Sequence, residues 1–383
     1  MNYSREDSEY ISIVPVMFYA GSMGNKENHH VALTQRPGRG ATSNHASRFD
    51  PYQTHRVEDD WPSDAEPPLK TYVTEETPRS VITRNSSPDI PFDRSINPYR
   101  GCEHGCIYCF ARPTHAYLGY SPGLDFETRL IARPKAPEQL CKELRRKSYS
   151  VAPIAIGTNT DPYQPIEKKY RVMRGILQVL WEHRHPVTIT TKGTLIERDI
   201  DLLAQMAREN LVHVAISMTS LDATVSRKME PRVPGPKRRL QIIQRLSNAG
   251  IPVRVGVAPV VPALTDHELE RILHESKEAG AQAAHYILLR LPGEVEPLFE
   301  EWIEEAFPNR AKRVMSRMYE MRDGAAYNSE FGKRLIGDGT FSKLLHHRFK
   351  LAVKRFKLAS ELPELNVIAF KPPERVGDQL SLF

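Results

Sequence analysis

The chain has 383 residues, 53 Lys and Arg against 47 Asp and Glu for a formal charge of +6, 40% hydrophobic and 26% charged residues, and four cysteines, three of them clustered. This is ordinary composition for a folded protein of one large domain with extensions or of two domains, and the cysteine usage argues against a disulfide framework and for a reducing, cytoplasmic setting. No apolar run approaches the ~20 residues of a membrane span, and ISIVPVMFYA over 11–20, broken by Pro15 and preceded by Glu6, Asp7 and Glu9, lacks the basic region of a secretory leader.

Residues 1–78 are rich in Asn, Ser, His, Pro, Gly and charge (GNKENHH, RPGRGATSNHASRF, EDDWPSDAEPP). Such a stretch buries too little apolar surface to offset its ordering entropy, and a largely disordered N-terminal extension is expected. KTYVTEETPRSVI over 70–82 has β-type composition and is the first segment expected to join the fold.

From 79 to 293 the chain alternates short β-rich runs with amphipathic helices, the pattern of parallel strands joined by helical crossovers. Six strands are expected, at Arg94–Pro98, Pro153–Gly157, Pro186–Thr191, Leu211–Met218, Pro252–Val257 and His285–Leu291. QIIQRLSNAG and RILHESKEAG end in Gly250 and Gly280, as helices commonly do, and Thr265 to Glu268 reads as a capping box opening the helix after the fifth strand. Residues 294–358 read as a helical extension across an open side of the sheet. Within it Lys333 to Lys357 carries eight Lys or Arg against one acid, Asp338. Either a basic face directed at phosphates or a solvated helix face fits that pattern. Residues 359–383 form a tail.

The first strand leads into Gly101-CEHGCIYC-Phe110, where Cys102, Cys106 and Cys109 stand at CxxxCxxC spacing. Iron–sulfur clusters are normally held by four thiolates, so three make an incomplete set for a four-iron cluster and leave one iron open to a small chelating molecule. Cys141 lies well downstream in an apparent helix and is not expected to ligate. A structural zinc completed by His104 or His115 is the plainer alternative, although zinc ligands usually come as a close pair plus a distant pair, whereas these crowd into one loop.

The CxxxCxxC run with Tyr108 before its last cysteine resembles the signature of radical S-adenosylmethionine (SAM) enzymes. SINPYRGCEHGCIYCFARPTHAYLGYSPGLDFET, GTNTDPYQPIE, TKG, EPRVPGPKRRL and LLRLPGEVEPLFEEW together resemble proteins related to spore photoproduct lyase, a DNA repair group, and an uncharacterised bacterial branch of it in particular. The resemblance implies an α/β fold, a partial (β/α)6 TIM-like barrel of the radical SAM type. It implies a [4Fe-4S] cluster on Cys102, Cys106 and Cys109 that cleaves SAM to a 5′-deoxyadenosyl radical, which takes hydrogen from a substrate. It further implies an electron donor such as flavodoxin or ferredoxin.

By the same resemblance, Gly157, Thr158 and Asn159 receive the amino group of SAM, with Asp161 and Gln164 shaping the pocket. Lys192 reaches its carboxylate, and Ser217 supplies a hydroxyl. Tyr108 stacks on the adenine or covers the cluster, and Val257 and Ala258 give apolar contact. Arg232 serves as a clamp or pairs with Glu230. The lyase's hydrogen-donating cysteine near the end of the second strand has no counterpart in AIGTNTD, which puts repair of that lesion by the same route in doubt. Tyr163 and Tyr117 are the alternative donors.

The chain ends Gln379-Leu380-Ser381-Leu382-Phe383, which resembles the pentapeptide by which bacterial polymerases and repair proteins dock on the DNA sliding clamp, a linear-motif mode. DNA is therefore the expected substrate. The rivals are radical modification of RNA, a peptide or a small molecule, and a non-catalytic nucleic-acid-binding module with a structural metal.

Overall fold

A computed structural model of the protein describes residues 36–46, 48–49 and 68–374, so the terminal pentapeptide lies outside the described residues. Six strands, β1 (Arg94–Ile96), β2 (Ile154–Ile156), β3 (Val187–Thr191), β4 (Val212–Met218), β5 (Val253–Val260) and β6 (Ala283–Leu288), lie side by side in sequence order, each parallel to the next. Ile82–Arg84 adds a seventh strand, antiparallel, beyond β1. All six fall where the alternating pattern puts them. Their buried runs, such as Ile154, Ala155 and Ile156, are apolar on both faces because helices cover one side and barrel contents the other.

The crossovers are α1 (Ala136–Leu144), α2 (Val172–Glu182), α3 (Ile200–Arg208), α4 (Pro236–Asn248) and α5 (Leu269–Glu278). In α2, Val172, Met173, Ile176, Leu177 and Leu180 make one buried stripe at helical spacing. Gly250 and Gly280 follow α4 and α5 at φ +76° and +104°, the left-handed backbone expected of helix-ending glycines. The capping box does not form. Thr265 Oγ1 instead accepts from Val261 N at 2.9 Å, and the Glu268 carboxylate crosses to the loop after β4, accepting from the Ser220 hydroxyl (2.5 Å) and Leu221 N (3.2 Å). Burial of Glu268 explains the difference, since a buried carboxylate takes the donors within reach.

Three further helices follow β6: α6 (Val295–Ala306), α7 (Pro308–Glu320) and α8 (Gly339–Arg355). The last covers the free side of β6, with Phe349 4.7 Å from the Tyr286 ring, His346 Nδ1 3.0 Å from its hydroxyl, and Arg348 bonded to Glu270 of α5 at 2.7 Å. Ala359 then hydrogen-bonds along the β6 edge through Ala284 N (3.0 Å) and Gln282 O (2.9 Å). Of the eight basic residues expected on one face, Arg334 is taken by Asp89 and Arg348 by Glu270. Lys343, Lys350, Lys354, Arg355 and Lys357 remain exposed. Among the described residues, no helix is long and apolar enough to cross a membrane.

The N-terminal expectation needs correction. Residues 36–46 are largely buried, crossing from the cysteine loop to α6. Gly40 and Ala41 donate their amides to Glu127, both at 2.9 Å. The Thr42 and Ser43 hydroxyls donate to Glu301 of α6 at 2.8 and 2.7 Å, and His45 Nε2 lies 2.9 Å from it. The low hydrophobicity of the segment concealed this because its anchorage is polar.

Burial would raise the Glu301 carboxyl, but His45, Ser43 and Thr42 outweigh it and hold it at about 2, below its ordinary 4.5. A depressed carboxyl stabilises the fold above its unfolded value and loses that contribution as pH falls through the folded one. Glu301→Gln should therefore lower stability at pH 7, by on the order of 1–3 kcal/mol, and flatten the loss of stability between about pH 4.5 and 2. Urea denaturation at several pH values measures both effects; a variant with the native acid profile would show that this anchor carries no charge-linked stability.

Candidate functional site: a cysteine loop at the strand ends

The cysteines sit inside a β-hairpin. Tyr99–Arg100 pairs antiparallel with Arg129–Ala132, and the intervening chain, including the cysteine loop, folds over the C-terminal end of the barrel. Its interior is organised by a fully buried ion pair, Arg112 to Glu127 at 2.5 Å. Arg112 also donates to the carbonyl of Cys106 at 3.0 and 3.1 Å, to Gly123 at 2.9 Å and to Pro122 at 3.2 Å. Five donors in a fixed fork suit this task. The Cys102 amide donates to Phe126 O (2.9 Å) and the Ile107 amide to Met229 O (3.1 Å), so the loop's backbone is fixed between the cysteines. Gly40 must be glycine, because a Cβ there would lie 1.7 Å from the Gly105 carbonyl oxygen.

The segment after β2 is stitched to this loop. Thr160 donates its hydroxyl to Tyr99 O at 2.9 Å, and Gln164 donates to Gly101 O (3.1 Å) while accepting from Glu103 N (2.9 Å). Asp161 accepts from the Thr191 hydroxyl (2.7 Å), Lys192 N (2.8 Å) and Tyr163 N (2.9 Å), and its Oδ2 lies 3.3 Å from His104 Nδ1. Burial pushes this carboxyl up, but His104 and these donors hold it down to about 2. Gly157 takes φ +86°, and a Cβ there would lie 2.0 Å from Thr190 O, so β2 and β3 meet only with glycine. Thr158 and Asn159 are half-buried, and their side chains bond to no other described residue, leaving them available to a ligand.

The sequence-selected residues of β3 to β5 converge. Lys192 Nζ lies 5.9 Å from the centre of the Tyr108 ring. Burial would lower this amine, but Cys106, Glu230 and Asp161 raise it above its ordinary range. Tyr108 donates its hydroxyl to Glu230, which also accepts from Thr219 (2.9 Å) and from the buried Arg239. The ring is thus held by its hydroxyl beside the cysteines. Ser217 donates to Ala258 O at 3.0 Å, Ala258 is half-buried and Val257 is buried.

Arg232 does not pair with Glu230. Its guanidinium lies 3.4 Å from Glu103 and its amide bonds to His104 O, which leaves Glu230 to Arg239. The two tyrosines read as hydrogen donors are placed differently. Tyr163 is buried with its hydroxyl donated to Asp199 (3.1 Å), and Tyr117 is 72% exposed against Phe49. Glu127 and Thr160 escaped the sequence reading, and Glu230 entered it only as a partner for Arg232, because the sequence carries no signal for carboxylates and hydroxyls that act only by receiving or giving loop hydrogen bonds.

The donor set fits an iron–sulfur cluster. Burial raises Cys102 well above the ordinary thiol range, with Asp161, Cys106 and Cys109 adding to the rise, and pushes Cys106 up to about 12 against the pull of Lys192. Three clustered cysteines, two of them buried, can ionise together only with a positive group among them, which iron would supply. The zinc alternative loses its fourth ligand: His104 faces Asp161, and His115 Nε2 lies 2.9 Å from Arg129 O. Among the described residues no three His, Cys, Asp or Glu are arranged to hold one metal ion.

A partial α/β barrel with a three-cysteine loop over its strand ends defines a class of cofactor-dependent barrel. Residues 96–275, a little under half of the chain, match the model of the radical SAM superfamily. An uncharacterized protein of Mycobacterium tuberculosis (strain ATCC 25618 / H37Rv) is 41% identical over 226 residues, 58% of this chain and 66% of the relative, so the match spans just under two thirds of that protein. A protein of Pseudomonas phage M6 named radical SAM Nalpha-GlyT isomerase is 26% identical over 46% of this chain and 35% of its own. Among solved structures, a spore photoproduct lyase variant with bound AdoMet and dinucleoside spore photoproduct superposes with a TM-score of 0.51 at 15% identity, covering 74% of this chain and 79% of that one. This last likeness is one of fold.

Replacing Cys102, Cys106 or Cys109 by Ala should each abolish cluster assembly, whereas Cys141→Ala, in α1, should keep it; iron and sulfide analysis after anaerobic reconstitution measures this. Lys192→Ala should keep the cluster but weaken SAM binding by roughly tenfold to a hundredfold, the worth of one charged hydrogen bond. Native affinity in that variant would make Lys192 a bystander.

Proposed function

We propose that this protein is a radical SAM enzyme acting on DNA. The observation that carries the proposal is the cysteine loop: three thiols on a rigid backbone, with Lys192 near Cys106 and the segment after β2 that carries Thr158 and Asn159 stitched to the loop. The chain's own residues then divide the work. Cys102, Cys106 and Cys109 hold the cluster, Thr158 and Asn159 offer oxygen acceptors to the ammonium of SAM, and Lys192 offers a cation to its carboxylate. Tyr108, fixed by Glu230, presents its ring as an apolar wall. When bound, the cluster and SAM supply a 5′-deoxyadenosyl radical that takes hydrogen from the substrate. Burial of the loop excludes water from the place where that radical would form.

DNA is supported by three independent features. The exposed Lys343, Lys350, Lys354, Arg355 and Lys357 on and beside α8 give a basic face of the kind that meets phosphates. The terminal QLSLF has the form of a sliding-clamp ligand. A neighbour of the same fold is named with a dinucleoside photoproduct bound. The reducing partner on this reading is a small electron carrier such as flavodoxin or ferredoxin, and the setting is the bacterial cytoplasm.

Reduced, reconstituted enzyme should convert SAM to 5′-deoxyadenosine, and with deuterated DNA of defined sequence the deuterium should appear in that product. Label arriving only from RNA, a peptide or a small molecule would assign the substrate elsewhere. A peptide of residues 371–383 should bind the bacterial sliding clamp at about micromolar affinity, since five residues bury little surface and must be ordered on docking. Phe383→Ala should remove that binding in calorimetry; a variant peptide that binds as well as the native one would sever the link to the clamp.

A further inference from the structure

Arg290 stands two residues beyond β6, and its guanidinium lies 4.0 Å from the centre of the Phe110 ring. Phe110 directly follows Cys109 and is 39% exposed. The contact therefore joins the loop after β1 to the end of β6, the two sides of the open barrel, at the rim of the cysteine loop. The Cys109 thiol is near enough to interact with Arg290 electrostatically. The backbone that carries Arg290 is fixed on both sides. Leu289 N donates to Val260 O at 3.0 Å, Leu288 N to Leu335 O at 2.9 Å, and the buried Arg322 donates to Leu289 O.

Arg290 differs from the other arginines around the site. Arg112, Arg239 and Arg334 each have a carboxylate, and Arg322 has backbone carbonyls. Arg290 is half-buried, and among the described residues its side chain has no carboxylate within ion-pairing distance and no hydrogen bond. Burial, with Arg334 adding to it, outweighs the pull of Tyr327, Cys109 and Asp89 and lowers its proton affinity. A desolvated guanidinium that is not paired inside the protein is satisfied by an anion from outside. Its surroundings select the kind. Phe331, 54% exposed, lies under Arg334 at 4.9 Å, and the half-buried Tyr327 interacts with both Arg290 and Arg334. Exposed aromatic faces interleaved with guanidinium groups suit stacked bases and the phosphates between them.

We propose that Arg290 and Phe110 form the substrate-docking rim of the site, Arg290 taking a phosphate of the DNA and Phe110 the face of an unstacked base next to the target nucleotide. This rests on the proposal that DNA is the substrate. The rim places the nucleotide beside Cys109, near the end of β6.

The test uses reconstituted holoenzyme, a fluorescein-labelled single-stranded DNA of mixed sequence, and anisotropy titrations across a salt series. Arg290→Gln should weaken binding at least about tenfold and reduce the salt slope by about 0.7, the share of one phosphate on a single strand. Arg290→Lys should keep the slope, and Phe110→Leu should weaken binding severalfold with the slope unchanged. Iron content and the thermal midpoint, both expected at native values, show that each variant is folded. Native enzyme that binds the strand while folded Arg290→Gln and Phe110→Leu bind it equally well, with the native slope, would overturn the rim and leave the DNA reading standing. Native enzyme with no affinity for the strand would overturn both. Loss of SAM affinity in Arg290→Gln with DNA binding intact would assign the guanidinium to the cofactor and overturn the rim.

Discussion

Glu127 is a carboxylate with no exposure to solvent, and the geometry of the cysteine loop depends on what it accepts. Arg112 reaches it from inside the loop, and the amides of Gly40 and Ala41 reach it from a segment more than eighty residues earlier. Through Arg112 the same charge orients the carbonyls of Cys106 and Gly123. A buried pair of this kind adds little net stability over an apolar isostere, yet removing one partner typically costs about 3–5 kcal/mol, because the other charge is left stranded. Its use here is positional: it holds three cysteines on one short loop whose backbone cannot relax away from a cluster.

Two further buried acids extend this logic to the barrel. Asp161 ties the segment after β2 to the end of β3 and faces His104 of the cysteine loop, while Glu230 fixes Tyr108 from the loop after β4. The cysteines are thus surrounded by carboxylates that are all occupied, and Lys192 is the cation turned toward them. A site built this way needs positive charge to become neutral, which iron and a sulfonium both provide. At its rim Arg290 offers a separate cation beside Phe110, at the end of β6.

Much of the architecture was legible in the residues. Strand positions followed from short β-branched and apolar runs such as PIAIG and PVTITT, set between helical repeats. Gly250 and Gly280 marked helix ends through their backbone freedom. The cysteine spacing marked the loop over the strand ends, and Gly157, Lys192 and Ser217 were brought to the strand ends that the barrel pattern assigned. What escaped depends on contacts distant in sequence. The polar segment 36–46 gave no apolar signal, because Glu127 and Glu301 anchor it by hydrogen bonds. The Thr265 to Glu268 pattern had the right residues for a cap, but a buried partner loop claimed Glu268. Nothing in the sequence selects between Tyr163 and Tyr117, and the Tyr163 hydroxyl is donated to Asp199. Arg290 carries no local motif; its significance appears only when β6 and the cysteine loop are seen to meet.

The most direct test of this account is the electron paramagnetic resonance spectrum of the reconstituted, dithionite-reduced protein, recorded with and without SAM. The account predicts the signal of a single reduced four-iron cluster whose g-values shift when SAM is added, since one iron lacks a cysteine and takes the amino and carboxylate groups instead. A colourless protein that holds one zinc and no iron, or a cluster signal that SAM leaves unchanged, would contradict it.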